Sequence, residues 1–415
     1  DTDVTGAELV SNNSSFSNTT GWYLDNANTS SGTIATLAAS GGNLVFTHSN
    51  TNNSWDGFGT SGTFVVGQTY TIDTTIVSAT NIGQLRITDS ASQHDADIQT
   101  TINTSGTHSY TFTATATTMY FHWNGYYTTS TITLSKFSVR LAEEDRSVNG
   151  NGLQVFGTVT KNPVATGADL VGYSGFSDNN ANKLIQPYNS DLDFGTGDFC
   201  FNLWFNATNT ANQGTLFVRM ATEDGETNWN NSGNIIQIEF NGTNLRSLVS
   251  GTGYSPLTLI DIDDGNFPSG AWNMFTFLRR NGTLEAYHNG SFVDSTTDGN
   301  SGRDVTNTSG RLWIGNKPSN GYRPFNGSLA LFRASATAPS PEQIKKIYED
   351  EKVLFQEGSQ ATLYGSSDAV TALAHDDTTN LLHVGTSAGR SVFQGLRRVD
   401  NTTDAVGAAI SASNG

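Results

Sequence analysis

The feature that most constrains this chain is a succession of short segments with an apolar residue at every second position, broken by clusters of Gly, Asn and Ser. Thr69-Tyr-Thr-Ile-Asp-Thr-Thr-Ile-Val77, Thr107-His-Ser-Tyr-Thr-Phe-Thr-Ala114 and Ile132-Thr-Leu-Ser-Lys-Phe-Ser-Val-Arg-Leu141 are representative. A period of two sends alternate side chains to opposite faces, which is what a half-buried antiparallel strand requires. Helices favour Ala, Leu, Glu and Lys. A chain with 35% hydrophobic residues, 14% charged residues and 43 glycines argues instead for short strands and polar turns. The expected class is all-β, and a length of 415 residues suits two antiparallel sandwich domains in tandem better than one core.

The first sandwich is expected over residues 1–141, where strand-like runs and turns alternate in a jelly-roll manner. Residues 142–170 open with Glu143-Glu-Asp-Arg-Ser-Val-Asn-Gly-Asn-Gly152, a charged and glycine-rich stretch that reads as a linker, followed by a short strand over 153–160. The second sandwich is expected over 171–350. It contains two hairpin signals, Asn281-Gly282 and Asn289-Gly290, because Asn-Gly accepts the positive φ angles of a type I′ turn. It closes with one short helix over 340–350: Ser340 caps it, Pro341 takes its first position, and Ile344, Ile347 and Tyr348 form its apolar face. Residues 351–415 form a C-terminal extension with a β-hairpin over 370–386, read as an incomplete further domain. A two-stranded unit cannot bury a core alone, so this hairpin is expected to pair with further chain or with a sister subunit. The lack of an initiating Met and the abrupt ends give the expectation of a longer polypeptide.

Charge excludes some partners. A formal charge of −17 and a pI near 4.6 repel phosphate backbones and anionic lipid, so neither nucleic acid nor membrane insertion is expected. No apolar stretch approaches twenty residues. Cys200 is the single cysteine and reads as a small buried hydrophobe, so no disulfide framework holds the loops.

Catalytic patterns are equally scarce. The seven histidines are scattered without a metal-binding spacing, and no G-x-S-x-G elbow occurs. Glu239 and Glu285 lie on strand-like segments and are the carboxylates a glycosidase reading would use, but neither segment carries the closely spaced acids of such a site. The expectation is a protein that is not an enzyme and requires no cofactor.

Two kinds of binding residue stand out. An aromatic ring can cover the apolar face of a pyranose while polar neighbours meet its hydroxyls. Trp55 and Phe58 in a polar loop, Trp123 with Tyr126 and Tyr127 around Asn124-Gly125, and Trp229 are the glycan-binding candidates. For Trp55 and Trp229 a core role is equally open, and Trp22, Trp204, Trp272 and Trp313 read as core. Calcium takes six to eight oxygens from loops, and the preferred structural calcium candidate is Asp261, Asp263 and Asp264.

The segments 188–205, 269–290 and 311–333, with Ser269-Gly-Ala-Trp-Asn-Met-Phe-Thr-Phe-Leu-Arg-Arg-Asn-Gly282 at their centre, resemble the laminin-G-like, concanavalin A-like jelly-roll family. Glu8-Leu-Val-Ser-Asn-Asn-Ser-Ser-Phe-Ser-Asn-Thr-Thr-Gly-Trp22 and Ile132-Thr-Leu-Ser-Lys-Phe-Ser-Val139 are similar to the opening and closing strands of carbohydrate-binding-module jelly rolls. The join over 144–161 and the tail over 363–374 resemble structural proteins of marine bacteriophages. That resemblance implies a phage virion protein, a tail fibre or surface appendage that adheres to a host cell-surface glycan. It also implies contact with other virion proteins, a homotrimer, assembly in the host cytoplasm and work outside it. The alternatives are capsid decoration, a purely structural appendage, or a component of a polysaccharide depolymerase. The hairpin over 370–386 is also similar to one blade of a β-propeller, of which several would be needed.

Overall fold

The computed structural model describes residues 2–25, 34–49, 57–91, 98–124, 129–177, 181–211, 213–221, 232–242, 244–299, 302–318, 323–360, 362–367 and 369–403. Almost all regular structure is strand, arranged as two antiparallel sandwiches and a smaller C-terminal sheet.

In the first sandwich one sheet runs in the order Ile34–Ser40, Asn43–Ser49, Ser130–Glu143, Thr69–Thr80, Gly106–Thr113. The facing sheet is Trp22–Asp25, Gly57–Thr63, Thr118–Asn124, Arg86–Thr88, Ile98–Gln99. Alternation sets the core. Met119, Phe121 and Trp123 all point inward from one strand, and Phe121 and Trp123 meet Phe137 from the opposite sheet. Phe58 stacks on Trp123 with ring centroids 5.4 Å apart, and Trp123 Nε1 donates to the Ile102 carbonyl at 2.9 Å. Two of the glycan-binding candidates are therefore core residues. Phe58 and Trp123 are 1% and 0% exposed and present no ring face to a ligand.

The second sandwich has one sheet in the order Thr2–Gly6, Leu153–Pro163, Val171–Ser174, Gly327–Ser335, Phe199–Ala207, Trp272–Arg280, Thr283–His288, Ser291–Thr297. The other is Lys183–Gln186, Arg311–Ile314, Gln213–Met220, Ile235–Asn241, Asn244–Ser250, Leu257–Asp263. Phe201, Phe217, Phe240, Phe277 and Leu284 are among the residues that fill the space between them. Both Asn-Gly turns form as expected, with Asn281 and Gly282 at φ 50° and 76° and Asn289 and Gly290 at 49° and 76°.

The segment read as a linker is built into this sandwich. Strand Leu153–Pro163 pairs through residues 154–156 with Lys183–Gln186 in one sheet, then through 157–163 with Thr2–Gly6 and Val171–Ser174 in the other. The corner is Gly157, at φ 62°, where any Cβ would come within 2.2 Å of Asn182 Oδ1 and 2.5 Å of the Ala181 carbonyl. Thr2–Gly6, at the start of the first domain in sequence, thus belongs to a sheet of the second.

The helix Pro341–Glu351 covers the outer face of the sheet that contains Phe199–Ala207. Its capping box is complete: Gln343 N donates to Ser340 Oγ, and Ser340 N donates to Gln343 Oε1. Ile344 packs with Trp204, Met274, Leu278 and Cys200, and Phe355 stacks on Trp204 at 4.2 Å. Burial pushes the Cys200 thiol up to about 12, as suits an unreactive packing residue.

The two sandwiches are joined by buried polar contacts. Gln154 Nε2 donates to the Thr71 carbonyl at 2.9 Å, Ser109 Oγ donates to the Tyr188 carbonyl at 3.1 Å, and the Arg140 guanidinium lies 4.2 Å over the Phe156 ring. Asp73, buried in the first sandwich, sits 2.7 Å from Lys136 of its own domain and 3.4 Å from Arg311 of the second. The expected C-terminal hairpin is the first half of a four-stranded meander, Val370–Asp376, Leu381–Thr386, Gly389–Gln394, Arg397–Thr402. Gly358, Ser359 and Thr362 tie it to the loop 164–170 of the second sandwich, for example through Gly358 N to the Thr166 carbonyl at 2.8 Å.

Candidate saccharide-binding site

Three turns at one end of the second sandwich surround a cavity of about 820 Å³. The first, 174–177, follows strand Val171–Ser174 and supplies Ser174, Phe176 and Ser177. The second, the hairpin after Phe199–Ala207, supplies Thr208 and Gln213. The third, 323–328, leads into Gly327–Ser335 and supplies Arg323, Asn326 and Ser328. The turns are fixed by backbone bonds: Thr208 N donates to the Asn326 carbonyl at 2.9 Å, Thr215 N to the Arg323 carbonyl at 2.8 Å, and Phe325 N to the Gly315 carbonyl at 2.8 Å.

The half-buried Phe176 ring lies against Gly315, the residue after strand Arg311–Ile314. Gly315 has φ 79°, and a Cβ built on it would come within 2.2 Å of the ring, so only glycine admits this placement. The lining combines the half-buried ring of Phe176 and the buried ring of Phe325 with hydroxyl and amide groups, the chemistry a pyranose needs. Its volume falls within the roughly 300–1,000 Å³ typical of small-ligand sites.

Arg323 connects the cavity to the outer face of the neighbouring sheet. Its Nη1 donates to Glu239 Oε2 at 3.0 Å, and Lys317 Nζ lies 3.5 Å from the same oxygen. Burial pulls the Lys317 ammonium pKa below its ordinary value, and Glu239 opposes that shift. Across the strand pair Glu239 faces Arg246, whose Nε donates to Asp261 at 3.1 Å. A second, larger cleft of about 1500 Å³ lies where residues 141–153 approach the second sandwich, with Leu153, Leu184 and Phe332 in its wall and Glu143 bonded to Tyr173 and Lys161 in its lining.

The two carboxylates weighed for hydrolysis do not form a pair. Glu239 stands on strand Ile235–Asn241 of one sheet and is held by Arg323 and Lys317. Glu285 stands on Thr283–His288 of the other sheet, where it accepts from Arg280 Nη1 at 2.9 Å and from Tyr287 Oη at 2.6 Å. The packed core separates them, so no substrate bond can lie between the two.

The calcium candidate also comes apart. Asp261 is engaged by Arg246, Asp263 accepts from Gly265 N at 2.8 Å as a turn cap, and Asp264 opens that turn. Among the described residues no three His, Cys, Asp or Glu side chains converge as a metal site. Where carbonyls and carboxylates do converge, an arginine collects them. Arg279, with no exposed side-chain surface, donates to Asp298 Oδ2 at 2.9 Å and to the Gly195 and Gly197 carbonyls at 2.7 and 2.6 Å. Arg219 bonds Asp193 and the Val305 and Asn307 carbonyls.

Of the remaining glycan candidates, Trp55, Tyr126, Tyr127 and Trp229 lie outside the described residues. Phe176, Gln213 and Arg323 carry only a weak signal in the sequence: a Phe between Gly and Ser in a polar turn, and an Arg-Pro-Phe-Asn-Gly run ahead of a strand.

Residues 179–345 match the model of a laminin G-type family described as the concanavalin A-like lectin/glucanases superfamily. No curated protein matches the chain. Among solved structures, the receptor-binding domain of botulinum neurotoxin C/D mosaic serotype is similar at 14% identity and a TM-score of 0.38, covering 62% of this chain and 59% of that one. The chain thus spans about three fifths of the length of that structure. A SAP-like pentraxin from Limulus polyphemus is similar at 16% identity and a TM-score of 0.29, over 37% of this chain and 70% of its own. The CBM40 of the Ruminococcus gnavus IT-sialidase, solved with α2,3-sialyllactose, is similar at 11% identity and a TM-score of 0.31, over 37% and 84%. The family match coincides with the second sandwich, which has the concanavalin A-like lectin fold.

Proposed function

We propose that this protein binds glycans without cleaving them, through the cavity at the turn end of its second sandwich. The observation that carries this reading is the lining of that cavity, where the Phe176 ring and the polar side chains of three turns face one space of about 820 Å³. The lectin-type fold of residues 179–345 supports it, as does the separation of Glu239 and Glu285. A glycan array followed by titration calorimetry tests it. The intact chain is expected to retain a subset of oligosaccharides, and Phe176→Ala is expected to weaken that binding about fivefold or more, since a stacked ring contributes on the order of 1 kcal/mol. An array without any retained glycan, or unchanged affinity in Phe176→Ala, would refute the site.

The setting we propose is a bacteriophage appendage, a tail fibre or related surface structure, in which this domain meets the host envelope as a homotrimer. Support comes from the phage-like join and tail segments, from the acidic chain and from its single buried cysteine. Such a protein folds in a reducing cytoplasm and functions outside it. Immunogold labelling of purified particles, with light scattering of the isolated protein, tests this. Label confined to appendages and a trimer mass are expected, and label over the capsid alone would replace this setting by capsid decoration.

A further inference from the structure

The chain carries a formal −17, yet among the described residues the one ionic group in the cavity lining is a cation, Arg323. Its counterion is shared. Glu239 Oε2 is 3.0 Å from Arg323 Nη1 and 3.5 Å from Lys317 Nζ, so neither cation has that carboxylate to itself. The Arg323 side chain is 27% exposed, whereas that of Glu239 is 4% exposed. The guanidinium therefore reaches from a buried acid to the open cavity. Among the described residues it makes one side-chain hydrogen bond, through Nη1 to Glu239. A guanidinium has five donors in a planar fork that matches the two oxygens of a carboxylate, and a partly desolvated fork of this kind is a recognition group for planar anions.

We propose that the cavity selects acidic saccharides, with Arg323 receiving the carboxylate of a uronic or sialic acid while Phe176 covers an apolar face of the sugar. This rests on the saccharide-binding reading above and adds the class of sugar. A carboxylate is the favoured partner because the neighbouring groups that complete its site, Gln213, Ser174 and Ser177, are the hydroxyls and amides that hold sugar hydroxyls.

The test uses two matched pairs of probes in titration calorimetry on the intact chain. One pair is a hexamer of galacturonic acid and the same hexamer with its carboxylates reduced to alcohols. The other is 3′-sialyllactose and lactose. In at least one pair the acidic member is expected to bind about tenfold or more tightly than its neutral partner, and which pair discriminates identifies the source of the carboxylate. Arg323→Gln is expected to bring that ratio to within about twofold, and Arg323→Lys, which keeps the charge but not the fork, to leave it intermediate. Thermal unfolding of each variant verifies its fold, and Arg323→Lys retains an ion pair with Glu239 should Arg323→Gln not fold. Equal binding of acidic and neutral probes by the unmodified chain, or a ratio that survives both substitutions, would overturn the acidic preference and leave saccharide binding intact. No heat with any of the four probes would overturn the acidic preference, and a glycan array without any retained glycan would overturn saccharide binding as well.

Discussion

Arg279→Met is expected to destabilise the second sandwich by about 3–5 kcal/mol, because truncating the closer partner of a buried ion pair leaves the fully buried Asp298 facing the more distant Arg303, whose Nε is 3.7 Å from Oδ1. Arg279 and Asp298 both have no exposed side-chain surface, and the same guanidinium holds the Gly195 and Gly197 carbonyls. The substitution therefore removes a charge pair and several donors at once from the loops that these carbonyls belong to. Arg279→Lys is expected to recover only part of the loss, since one ammonium cannot reproduce a planar fork. Chemical denaturation measures the cost, and hydrogen exchange should show protection falling first in residues 195–198 and 302–305. A change under about 1 kcal/mol would mean that these loops are organised by something other than Arg279.

The second large effect concerns the junction of the two sandwiches. Asp73→Ala is expected to cost about 3–5 kcal/mol near neutral pH, because Lys136 and Arg311 then share a buried space without their acid. Burial alone would raise the Asp73 pKa, but Arg311 first and Lys136 next outweigh it and hold the carboxyl below its ordinary 3.8. A carboxylate whose pKa is depressed on folding contributes stability that is fully present above its unfolded value and is lost as pH falls through the folded one. The difference between the unmodified chain and Asp73→Ala should thus be constant above about pH 5 and shrink below pH 3.8. Arg311 comes from the other sandwich, so calorimetry of Asp73→Ala is also expected to separate the melting of the two domains. A single transition at an unchanged temperature would contradict the coupling.

Much of the fold was legible in the sequence because side-chain alternation is a local property. The two Asn-Gly turns and the Ser340 cap occur where their residues demand, since each answers to a backbone requirement set within a few positions. The same alternation could have placed Trp123: Met119, Phe121 and Trp123 share one parity, and the inward direction of the first two fixes the third. The neighbouring Asn124-Gly125 points toward a loop instead. A linker over 142–170 does not reveal that Gly157, at φ 62°, turns one strand from sheet to sheet, because residues 181 and 182, which leave no room for a Cβ there, are distant in sequence. The saccharide cavity was illegible for a related reason. Ser174, Gln213 and Arg323 sit in separate turns, and only the pairing of both sheets brings them together. Arginines 219 and 279 look in sequence like ordinary strand-end charges, and their burial depends on carbonyls contributed by loops far along the chain.

A crystal structure of the intact chain with a bound acidic oligosaccharide tests the central claim most directly. The account predicts an uncleaved sugar in the cavity bounded by residues 174–177, Thr208, Gln213 and residues 323–328, with a ring against Phe176 and a carboxylate on the Arg323 guanidinium. Sugar density confined to another surface, or a hydrolysed product beside Glu239 or Glu285, would contradict it.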